Sequence, residues 1–137
     1  MANKYPTKKE ILSPKIDFKD ETIECLKKWK PIWIKNRNKN TKIKIETIGL
    51  LIINLTKIYE KTITIRYDPS TKSSYYNSKK ETIVLNKPSI LTALHEFAHH
   101  IKGPSEKKAC RWSVQLFKIV FYKSYKQLNW KGHMLIK

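Results

Sequence analysis

Between Ile45 and Tyr59 the apolar residues Ile45, Ile48, Leu51, Ile52, Leu55, Ile58 and Tyr59 recur at i, i+3 and i+4. That period predicts one helix with a single buried face. A shorter helix is expected before it. Asp20 can cap a run in which Ile23, Leu26 and Trp29 keep the same spacing, and Pro31, which has no amide hydrogen, should end that run. The polar, basic stretch IKNRNKNTK (34–42) reads as the loop joining the two. Residues 1–19 hold Pro6, Pro14 and scattered lysines without a sustained period, so an extended arm is expected ahead of one domain spanning 20–137.

The period then changes. TITIRYD (62–68), SSYYN (73–77) and ETIVLN (81–86) are rich in β-branched and aromatic residues and separated by turn formers, which predicts three strands of a small antiparallel sheet. After Pro88, Ser89 can cap a helix that stops at Gly103-Pro104. Ser105 can cap another at once, from Glu106 to about Tyr125, with Ala109, Trp112, Leu116 and Val120 on one stripe. Helices on either side of a run of strands predict an α+β fold, a small sheet of about three strands packed with helices.

Composition narrows the class. At 137 residues, 40% hydrophobic and 11% aromatic, the chain has the length of one domain and enough apolar mass for a core, which excludes a disordered polymer. Against 11 acidic residues stand 29 Lys and Arg, a net charge of +18, and such a field attracts polyanions. Nonspecific contact with nucleic acid through a lysine-rich surface is therefore expected. Only Arg37, Arg66 and Arg111 offer the bidentate fork that reads bases or clamps phosphates, so sequence-specific recognition is not. Cys25 and Cys110 form no CxxC and no ladder of spacings, which suits reduced thiols. With no secretory pattern in MANKYPTKKEIL and no apolar run near the ~20 residues of a membrane span, a soluble, cytoplasmic protein is expected.

The candidate chemistry lies in LTALHEFAHH (91–100), which contains His95-Glu96-Phe97-Ala98-His99, an HExxH motif. On a helix, positions i and i+4 lie about 40° apart, so His95 and His99 project from one face and can share an ion. Glu96 sits beside that face, placed to act as the base toward a water that the ion polarises. Ile90, Leu91, Leu94, Phe97, Ala98 and Ile101 cluster on the opposite face. The helix thus has a complete apolar stripe without its histidines, and core packing does not account for them.

A zinc site of this kind takes a third protein ligand. Glu106, His100, His133, Cys110 and Asp68 are the candidates. His100 is rotated about 100° from His99 and ~140° from His95, away from a shared ion. Glu106 follows the tight Gly103-Pro104 corner, opens the next helix and suits the positive end of its dipole, which makes it the best placed. His100, His133, Tyr75 and Tyr76 are auxiliary candidates for stabilising an oxyanion. Trp29, Trp33, Trp112 and Phe117 fit core positions, and Lys107, Lys108 and Arg111 a solvated face with phosphate contact as a second role.

The LHEFAHH helix, preceded by a strand such as ETIVLN and followed by a helix with a glutamate, resembles the zincin metallopeptidases, and among them a minimal gluzincin. The resemblance covers about Thr62 to Tyr125. It implies a zinc-dependent peptidase acting on intracellular protein or peptide, with His95, His99 and Glu106 as zinc ligands and Glu96 as general base. It also implies an extended substrate laid along a strand edge, which SSYYNSKKETIVL could supply. More loosely the chain is similar to the ImmA/IrrE-like peptidases, although EKKA stands where an ExEA-like element is usual. It is similar as well to the SprT and WLM-type proteases, with GPS in place of the GPH of the latter. The competing expectation is a basic nucleic-acid-binding protein with a structural or vestigial zinc site.

Overall fold

The computed structural model describes residues 5–14, 16 and 18–136. Two long helices come first: α2 (Asp20–Asn36) and α3 (Thr41–Tyr59), after a single short turn of helix, α1 (Lys8–Leu12). Strands β1 (Thr64–Tyr67), β2 (Tyr75–Asn77) and β3 (Thr82–Leu85) follow, then α4 (Ile90–Lys102), α5 (Glu106–Val120) and α6 (Tyr122–Lys126). A hairpin of β4 (Asn129–Lys131) and β5 (Met134–Ile136) completes the described chain. The fold is α+β, as the alternation of periods predicts.

Pro31 does not end α2, which continues to Asn36. Pro31 and Lys27, whose carbonyl loses its partner, are both exposed, so water can replace the missing hydrogen bond. The expected loop shrinks accordingly. Asn40 accepts from the Ile43 amide at 3.0 Å and starts α3 four residues before the apolar period becomes visible. Thr22 Oγ1 and Tyr59 Oη, 2.7 Å apart, hold one end of the α2–α3 pair, and Trp29 Nε1, donating to the Thr47 carbonyl at 2.8 Å, holds the other.

The arm expected at 1–19 is not simply extended. Thr7 and Glu10 form a reciprocal capping box around α1, and Ile11 is fully buried against Cys110 and Val114. The Gln115 side chain donates to the Ile11 carbonyl and accepts from the Ile16 amide, both at 2.6 Å, which ties the segment to α5.

The sheet is mixed rather than antiparallel. Its order is β1-β3-β2, with β1 parallel to β3 and β2 antiparallel to it. Burial explains the order: Ile83, Val84 and Leu85 of β3 are all buried, whereas β1 is mostly exposed. The strand with apolar residues on both faces takes the middle, so β2 lies at an edge.

The core is built where α4 packs on α5, with α3 and the sheet closing the sides. Phe97 of α4 meets Trp112 of α5 and Tyr59 of α3 at ring centroids 6.0 and 5.9 Å apart. The stripe Ala109, Trp112, Leu116 and Val120 is buried as its spacing predicts. No helix among the described residues is long and apolar enough to cross a membrane.

Candidate metal centre

Helix α4 begins cleanly because the Ser89 hydroxyl accepts from the Thr92 amide, and it ends at Gly103, whose φ of 93° is open to glycine and strained for other residues. That turn brings Ser105, the cap of α5, and then Glu106 back beside the last turn of α4. His95 Nε2 lies 3.2 Å from one Glu106 carboxylate oxygen, and His99 Nε2 lies 2.9 Å from the other. One ligand atom from each of the three side chains falls within 4.8 Å of the others, so the group could hold a metal ion.

Each imidazole is also held from behind. His99 Nδ1 donates to the Gly103 carbonyl at 2.9 Å. A neutral ring that donates from Nδ1 keeps only a lone pair at Nε2, and here that lone pair faces a carboxylate. Two acceptors pointed at each other need a cation or a proton between them. His95 Nδ1 faces Cys110 Sγ at 3.8 Å. Burial outweighs the Glu106 carboxylate and holds His95 below the ordinary imidazole value, which favours its neutral form. A neutral imidazole is the form that ligates metal.

Glu96 is buried, only 6% exposed, and its Oε2 has no hydrogen-bond partner. Burial first and the Glu106 carboxylate second push it up to about 8. A buried carboxyl oxygen without a partner, within the field of the Glu106 carboxylate, is a costly polar group that a cation and its water could satisfy. The donor set, two nitrogens and one carboxylate, suits a borderline cation such as zinc. On these observations the residues fit the ion.

The other polar residues singled out in the sequence are not members of this three-residue group. His100 is 6% exposed and turned away from the cluster, with Nδ1 2.7 Å from Tyr76 Oη and Nε2 3.3 Å from the Lys61 carbonyl. Tyr76 joins Tyr75, Ser78 and Pro104 in lining a cleft of about 430 Å³ whose wall includes His99 and Glu106. His133 occupies the β4–β5 turn and stacks on Tyr5 at 4.0 Å. Asp68 accepts from Ser70 after β1, outside the cluster. Cys110 supports His95 rather than binding beside it, and burial, aided by Glu106 and Glu96, pushes its thiol up to about 12. The part played by the Gly103 carbonyl is not anticipated by the motif, although its place four residues after His99 is the signal that marks it.

Compared with models of protein families, with curated proteins and with solved structures, the chain matches none.

Proposed function

We propose that the chain is a zinc-dependent peptidase of the zincin kind, close to a minimal gluzincin, acting on intracellular protein or peptide. The observation that carries this reading is the convergence of His95 Nε2, His99 Nε2 and the Glu106 carboxylate beside the unpartnered Oε2 of Glu96. A bound zinc supplies Lewis acidity toward a carbonyl oxygen and toward a water.

The protein's own groups do the rest. Glu106 holds both histidines in register, the Gly103 carbonyl fixes the tautomer of His99, and Cys110 backs His95. Glu96, which burial holds up at about 8 in the metal-free chain, would be favoured in its ionised, basic form with a cation held by His95, His99 and Glu106. Glu96 then takes a proton from water as the oxygen adds to the scissile carbonyl carbon. It returns that proton to the amine nitrogen as the carbon–nitrogen bond breaks. Strand β2 lies at the sheet edge and carries Tyr75 and Tyr76 into the cleft wall, so an extended peptide fits beside it.

The test is Glu96→Gln. The variant should keep zinc at the level of the unaltered chain, by elemental analysis, and lose hydrolysis of fluorescein-labelled casein. A chain that takes up no zinc, or a variant that digests casein undiminished, overturns the reading.

A further inference from the structure

Away from the metal centre, the outer side of the α2–α3 pair shows a second feature. Between the two helices runs a groove of about 560 Å³, whose floor includes Cys25 and Trp29 of α2 and Ile58 of α3. It shares no lining residue with the His95, His99 and Glu106 cluster. Large apolar side chains lie open along it and beside it: Ile32 is 40% exposed, Leu50 40% and Ile53 52%. Leu50 and Ile53 share the outer stripe of α3 with Asn54, which lines the groove. Ile32, Leu50 and Ile53 do not serve the core already described.

The charge along this groove runs against that of the molecule. Its rim carries Asp20, Glu21 and Glu24 against the single base Lys28. Between Glu46 and Thr56, α3 has no Lys or Arg, in a chain with 29 such residues among 137, and Lys57 follows at the end of the stripe of Ile53 and Asn54. The dipole of α2 accounts for Asp20 and Glu21, which stand in its first turn. It does not account for Glu24, nor for the open isoleucines and leucine. No ion pair among the described residues occupies Asp20, Glu21 or Glu24.

We propose that this groove docks a basic amphipathic helix of a partner protein. From Asp20 to Ile32 the groove follows about three helical turns, roughly 18 Å, the span over which a partner helix can seat anchors at i, i+3, i+4 and i+7. The apolar floor receives those anchors and the acidic rim meets flanking Lys or Arg. A second copy of the chain fits poorly, because the contact would bring together two bodies of charge +18. At a screening length of ~8 Å in physiological salt, a helix in the groove feels the rim more than the distant lysines.

The probe is a labelled synthetic helix of about four turns, with leucine on one stripe and lysine elsewhere, titrated against the full chain in ~0.15 M salt. Saturable binding of one peptide per chain is expected, at least tenfold weaker for Glu21→Lys/Glu24→Lys and for Ile32→Lys. A peptide of the same composition with its leucines scattered around the helix should also bind at least tenfold more weakly. All three substituted side chains are at the surface of α2, and unchanged circular dichroism and zinc content show that fold and metal centre are intact. Absent binding, equal binding by the variants, or a dimer in sedimentation that those substitutions dissolve overturns the proposal. Each outcome is independent of whether the chain hydrolyses peptides.

Discussion

Along α4, the residues turned toward Tyr59 and Trp112 and those turned toward Glu106 meet different requirements. On the first side Leu94, Phe97 and Ala98 are fully buried, and each is satisfied by being apolar and of fitting volume. On the second, His95, Glu96 and His99 are partly or wholly removed from water but polar, and one buried carboxylate oxygen is left without a partner. The first face is complete as the chain folds, whereas the second keeps an unpartnered carboxylate oxygen and a group that could hold a cation. On the function proposed above, the same helix serves stability with one side and chemistry with the other, and substitutions on the two sides should separate these properties.

The largest separation is expected from Phe97→Ala, which removes an aromatic ring at the centre of the core and should cost about 3–5 kcal/mol in urea denaturation. Zinc should still bind the folded fraction, because none of the three ligands is touched. Loss of zinc binding from folded protein would show that the two faces are not independent.

Next in size is a dependence on pH. Without metal, Glu96 titrates at about 8 in the folded chain and at its ordinary 4.5 when unfolded. Its contribution to stability is thus fully present below 4.5 and is lost as pH rises toward about 8, on the order of a few kcal/mol. His95, whose value is lowered from 6.5, acts in the opposite direction. The difference between the unaltered chain and Glu96→Gln isolates the carboxyl. Metal-free Glu96→Gln should be the more stable of the two at pH 8, and the gap should close toward pH 4.5. Zinc, which favours the ionised carboxylate, should narrow the gap at high pH. A constant gap across that range would contradict the assignment of Glu96.

A smaller effect is expected behind the ligands. Cys110→Ala removes the sulfur that faces His95 Nδ1 and should weaken zinc binding by about tenfold in calorimetry, since the ring loses the group that orients it. His100→Gln should leave zinc affinity unchanged, because that ring bonds Tyr76 and Lys61 instead. Equal losses from both would mean that simple disturbance of α4, and not orientation of His95, is being measured.

Much of this division is legible in the amino-acid sequence. The apolar stripe of α4, the HExxH spacing and the rotation of His100 away from its neighbours all follow from helical geometry along one element. Glu106 is legible too, because the Gly103-Pro104 corner leaves the chain few places to go. Pairing across space is another matter. The place of β3 between β1 and β2 depends on which strand is buried on both sides, and IVL alone does not say what covers each face. The support that Cys110 gives His95 depends on the separation of α4 and α5, which no local period encodes. Helix α1 spans 5 residues, too few for a period, yet TKKE at 7–10 carries the capping-box signature that marks it. The β4–β5 hairpin is likewise too short to alternate visibly, and Gly132, at φ 61°, is its one local sign.

The central claim is tested most directly by an anomalous difference map, recorded at the zinc absorption edge from crystals grown with zinc. One peak is predicted, at about 2.0–2.2 Å from His95 Nε2, His99 Nε2 and a carboxylate oxygen of Glu106. A map with zinc only at other surface groups, or with those three side chains still hydrogen-bonded to one another and no peak between them, would contradict it.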